Sequence, residues 1–114
     1  TAPTRLDFNE LKNKFEQAAE NIVVKREAAS EEYKDELARL AEQIMHEKYL
    51  KIVEELLDSG DAKDTQRARR LLLLTVDGLW YVGTLLDEEA QHFYKIIGFT
   101  PDEASQIRQE QVRG

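Results

Sequence analysis

LLLLTVDGLWYVGTLL, residues 71–86, is apolar nearly all round and decides how the rest of the chain is read. A helix with no polar face must be buried on every side, either by the chain itself or by a partner. The run is shorter than the about 20 residues that cross a bilayer, and it carries Asp77 at its middle. It therefore reads as the central helix of a bundle or as the seam of a homodimer formed through Leu71–Leu86, and not as a membrane span.

Working outward, the flanking segments are amphipathic. Phe8, Leu11, Phe15, Ala18, Ala19 and Ile22 step by three and four, with Glu10, Lys12, Lys14, Glu16 and Glu20 between them, so a first helix is expected to start near a capping Asp7. The pattern weakens over Lys25–Ala29, and Ser30 followed by Glu31 and Glu32 reads as a fresh helix start. A second helix is expected from Glu31 to Asp58. Its face is Tyr33, Leu37, Leu40, Ala41, Ile44 and Met45, continued by Tyr49, Ile52, Val53, Leu56 and Leu57. Gly60 closes the turn after it in the left-handed conformation.

The third helix is expected to begin near Asp64 or Thr65, with Arg67, Arg69 and Arg70 at a solvated start, and to continue through Leu86. A fourth helix follows from Asp87, turning Ala90, Phe93, Tyr94 and Ile97 inward and ending at Gly98. Thr100-Pro101-Asp102-Glu103 has an N-cap, a proline at N1 and a glutamate at N3, which together predict a capping box. Phe99 and Ala104 take the two positions of a hydrophobic staple. The last helix is mostly polar and offers only Ala104 and Ile107 as contacts.

With 114 residues, 41% hydrophobic and 34% charged, the chain fits one helical domain spanning residues 1–114. The fold class is all-α, a four- to five-helix bundle of antiparallel helices with short turns. Both prolines, Pro3 and Pro101, lie near an end, so nothing in the interior forbids helix. Cysteine is absent, which excludes disulfides and thiolate metal sites and fits a reducing, cytoplasmic setting. The formal charge of −7 disfavours direct nucleic-acid binding. Thr1–Phe8 has no apolar core of the kind a signal peptide needs, and a start at Thr1 without Met fits a processed or excised piece.

Three constellations carry candidate chemistry. Asp77 needs a cationic or hydrogen-bonding partner if buried, and with Trp80 and Tyr81 it is the expected ligand-binding set, suited to a small apolar ligand. Glu89-Ala90-Gln91-His92 has the Glu-x-x-His spacing of carboxylate-bridged metal bundles. Glu89 and His92 are thus the metal-ligand alternative, with Glu20 or Glu27 as imaginable bridges and Glu42–His46 as a second pair at i and i+4. No resident cofactor is expected. Nucleophile elbows and phosphate loops are missing, so nothing recommends an enzyme.

Arg69-Arg70-Leu71-Leu72-Leu73-Leu74-Thr75-Val76-Asp77-Gly78-Leu79-Trp80-Tyr81 resembles the late helix in the effector-binding region of tetracycline-repressor (TetR) type transcription regulators. Tyr49–Gly60, a helix with a short acidic turn, is similar in layout. The resemblance implies an all-α domain that dimerises through its last helices and encloses a small-molecule cavity. The DNA-binding domain of such regulators is not in this chain, so direct DNA recognition is not implied. The expected function is a non-enzymatic helical binding and dimerisation module, possessing a small-molecule-sensing regulatory role. The alternatives are a structural or protein-interaction bundle, natural or designed, and a ferritin-like metal-binding bundle.

Overall fold

The apolar run is largely covered by the chain's own helices. The computed structural model describes residues 3–28, 30–45, 47–81 and 83–113, with side chains described at all of these except 23–28, 33, 40–45, 47–48 and 111–113. Six helical segments are present among the described residues: α1 (Arg5–Ala28), α2 (Glu31–Met45), α3 (Glu47–Asp58), α4 (Ala62–Tyr81), α5 (Asp87–Ile97) and α6 (Pro101–Arg113). No described residue is in a strand, so the fold is all-α. The expected second helix corresponds to α2 and α3; residue 46, between them in sequence, lies outside the described residues.

α4 contacts α2, α3, α5 and α6. Ala68, Leu72, Leu73, Thr75, Val76 and Leu79 are buried on it, a set that spreads over more than one face as an all-apolar run should. They join Phe8, Leu11, Phe15, Ala18, Ala19 and Ile22 of α1, Leu37 of α2, Val53 of α3 and Ala90, Phe93 and Ile97 of α5 in the core. Leu73 packs instead with Ala104 and Ile107 of α6 in a small satellite cluster. Every side chain predicted for the buried face of α1 is buried. On α3 the expectation fails at Ile52, which is 47% exposed. The apolar stripe there is wider than the face that neighbours cover. Tyr33, Leu40, Ala41, Ile44 and Met45 have side chains outside those described.

Helix ends follow local chemistry, with departures at α1 and α4. α1 begins at Arg5 rather than Asp7. Thr4 is its N-cap, taking the Asp7 N–H on its hydroxyl at 3.1 Å, while the Asp7 carboxylate accepts the Thr4 N–H at 3.0 Å. Asp7 is therefore the N3 member of a capping box and not the cap. α4 stops at Tyr81, five residues short of Leu86. Gly83 has φ of 78°; its N–H donates to Trp80 O at 3.0 Å and the Thr84 N–H donates to Leu79 O at 2.9 Å. These are the two bonds of a Schellman cap, so leucines beyond a left-handed glycine cannot prolong the helix. Leu85 folds back into the core, and Leu86 is left 69% exposed.

A further departure is at the arginines, where the expected solvated start holds for Arg67 and Arg70 but not for Arg69. Arg69 donates from Nε to Ile97 O at 2.8 Å and lies over the Phe99 ring at 4.2 Å. It satisfies a carbonyl at the C-terminal end of α5, where a cation is favoured. Arg70 pairs with Glu110 of α6 at 3.4 Å.

α4 also starts earlier than expected, at Ala62 instead of Asp64 or Thr65, and the other ends match expectation. The break near Ser30 is present, since α1 ends at Ala28 and α2 starts at Glu31. Gly60 is left-handed, with φ of 74°. The capping box of α6 forms both bonds, Glu103 N–H to Thr100 Oγ1 at 3.2 Å and Thr100 N–H to Glu103 Oε1 at 3.1 Å. The described chain measures 42 × 28 × 27 Å, and no helix among its described residues is long and apolar enough to cross a membrane.

Candidate functional site

Asp77, Trp80 and Tyr81 stand at i, i+3 and i+4 on the last turns of α4, a spacing that puts them on one side of the helix. The structure brings all three to a single open groove of about 730 Å³, where Asp87, Tyr94 and Arg108 join them from α5 and α6. That volume is within the usual range for small-molecule sites. α4 supplies one wall, α5 crosses it after the Gly83 turn, and α6 closes the far side because the Gly98–Thr100 link returns the chain past Leu73.

Asp77 has the partners its position demands. Arg108 donates to it through both Nε, at 2.7 Å to Oδ2, and Nη2, at 2.8 Å to Oδ1. The Tyr94 hydroxyl donates to Oδ1 as well. The Asp77 side chain is only 24% exposed, so a two-bonded guanidinium offsets the cost of removing it from water. The Arg108 guanidinium also lies 5.4 Å from the centre of the Tyr94 ring. The bond to Asp77 raises the Arg108 pKa above its ordinary value. Burial, and then the hydrogen bond to Asp77, push the Tyr94 phenol far above the usual tyrosine value, so it stays protonated.

The two aromatic members remain accessible. Trp80 is 48% exposed and Tyr81 61%. The Trp80 indole N–H donates to Asp87 Oδ1, which fixes the ring beside the first turn of α5. The groove thus holds a neutralised ion pair, a protonated phenol, two accessible rings and a surface carboxylate. Such a set offers ring faces and fixed polar groups, the chemistry that positions a ligand in a pocket.

Glu89 and His92 face a second, shallower groove of about 410 Å³ beside α1. Each is engaged separately. Glu89 Oε2 pairs with Lys14 Nζ, and its Oε1 accepts the Leu86 N–H at 3.1 Å, so these bonds lower its pKa. His92 Nε2 meets Glu10 Oε1 at 2.8 Å. Among the described residues no three His, Asp or Glu side chains are grouped closely enough to hold a metal ion. Glu20 is exposed on α1; the side chains of Glu27, Glu42 and His46 are outside those described.

Tyr94, Asp87 and Arg108, with Ala90 and Gln91, line the groove without being assigned to it by the sequence. Tyr94 was placed inward on α5, and Asp87 was read as a helix start. Arg108 gave only a faint signal: as the neighbour of Ile107 and i+4 from Ala104, it lies beside the one buried strip of a polar helix. The buried pairing of Tyr49 with Thr75 on α4 was also not foreseen. The chain matches no family model, and comparison with curated proteins and with solved structures finds no match.

Proposed function

We propose that this chain is a non-enzymatic binding module that takes a small ligand in the groove between the end of α4, the start of α5 and α6. One observation carries the reading. The core absorbs the long apolar run up to Leu79, yet Trp80 and Tyr81 stay accessible at the rim of a groove floored by the Asp77–Arg108 pair. Large aromatic side chains supply much of the contact area at binding sites, and a locked ion pair offers fixed polar anchors without exposing an unpaired charge. A sensing role of the kind seen in TetR-type effector regions is the biological setting that the Asp77–Tyr81 stretch suggests.

Trp80 is the only tryptophan, so its fluorescence reports on the groove directly. A screen of small apolar, polar and charged compounds should find ligands that shift its emission saturably, and Tyr81→Ala should weaken them. A flat response across the whole screen overturns this reading.

A second reading concerns a second copy of the chain. Trp80, Tyr81 and Leu86 are the large apolar side chains left exposed around the α4–α5 turn. The homodimer proposed through Leu71–Leu86 is thereby narrowed to the exposed end of that segment. Sedimentation at micromolar concentration should show a dimer that Leu86→Glu dissociates; a strict monomer removes this reading and leaves the groove reading standing.

A further inference from the structure

We infer that the ligand of this groove is a small organic cation, of the substituted-ammonium class; this rests on the groove being the binding site. The charge balance of its lining is the reason. Asp77 is neutralised within the chain by Arg108, so neither contributes a free charge. Asp87 is different. One of its oxygens accepts the neutral indole N–H of Trp80, and among the described residues no Lys, Arg or His pairs with it. The first turn of α5 carries Asp87, Glu88 and Glu89; Glu88 and Glu89 face the other groove, where Lys14 pairs with Glu89, and Asp87 faces this one. The α5 N-terminus offsets about half an elementary charge, less than the full charge of the Asp87 carboxylate.

The groove therefore presents accessible aromatic rings beside uncompensated negative charge. Ring faces attract cations through their quadrupole, and a nearby carboxylate adds to the attraction. An anion would meet the Asp87 carboxylate, and the Arg108 guanidinium is already held by Asp77. A neutral apolar ligand would cover Asp87 without supplying a counter-charge, which costs free energy. The molecule itself shows the preference: the guanidinium that closes the groove is held by a carboxylate and lies over a tyrosine ring, Asp77 and Tyr94.

The test titrates the whole chain with choline and with dimethylbutanol, its uncharged carbon isostere, following Trp80 emission at low and high salt. Choline should bind about fivefold more tightly than the isostere. Asp87→Asn, which keeps an acceptor for the indole, should weaken choline about threefold or more and leave the isostere unchanged. Tyr81→Ala, at an exposed ring, should weaken choline with circular dichroism unaltered. Equal binding of choline and the isostere, or choline affinity unchanged in Asp87→Asn, overturns the inference while the groove reading stands. No response to choline also overturns it, and the groove reading is then decided by the wider ligand screen alone.

Discussion

Asp77 stands in the apolar second half of α4, where a carboxylate without partners would cost several kcal/mol. Arg108 and Tyr94 supply the partners, and they come from two other helices. Removing the guanidinium with Arg108→Ala should lower stability by about 1–2 kcal/mol in urea unfolding. This is below the usual cost of breaking a fully buried pair, because Arg108 is 44% exposed and water screens it. Asp77→Asn in the Arg108→Ala background should recover part of the loss, since it removes the orphaned charge. No loss in Arg108→Ala would mean that the pair is solvated in solution.

Tyr94 gives a pH prediction at the same scale. Its pKa in the folded protein lies above the ordinary value, so protonated tyrosine is the form the fold favours. Its contribution is fully present below about pH 10, the unfolded value. It is lost as pH rises through the higher folded value. In an ultraviolet tyrosinate titration, the difference between the wild type and Tyr94→Phe should show Tyr94 ionising only well above pH 10. An ionisation near the ordinary value would contradict the burial of the phenol and its hydrogen bond to Asp77.

Among the elements, α4 decides where the groove lies, and its end is set by one glycine. Gly83 at φ of 78° is in the region that a Cβ disfavours, so Gly83→Ala should cost about 1 kcal/mol. It should also disturb the emission of Trp80, three residues before it, if the cap aims that ring. A stability change below experimental error would show that this turn relaxes freely. The segment illustrates how composition can mislead. Leu85 and Leu86 extend an apolar run, but the left-handed residue ahead of them returns the chain, and the run is divided between a helix and a turn.

For the molecule as a whole, stability should be uneven. α4 is surrounded by four other helices, whereas α6 buries only Ala104 and Ile107 among its described side chains and is otherwise held by Arg108 and Arg70. Hydrogen exchange should therefore be faster in α6 than in α4, and raised salt should widen the difference by screening the two ion pairs. Equal protection of both helices would indicate a single cooperative unit. Since α6 forms one side of the groove, ligand binding should slow its exchange.

The sequence by itself determined the helical class, the buried strip of α1, the break before Glu31, the Gly60 turn and the capping box at Thr100. Each of these rests on residues within a few positions of one another, where periodicity and capping chemistry act directly. The expected helix through Leu86 was wrong for a local reason too, since Gly83 was legible as a terminator but outweighed by the leucines around it. Tertiary structure alone decided which groups meet Asp77. Arg108 lies 31 residues away, and no spacing rule connects a carboxylate to a guanidinium across two turns and a helix. The central run was legible as something that had to be buried. That the chain's own helices bury it up to Leu79, and leave Trp80 and Tyr81 at the edge of a groove, depends on how the neighbouring helices divide the surface of α4.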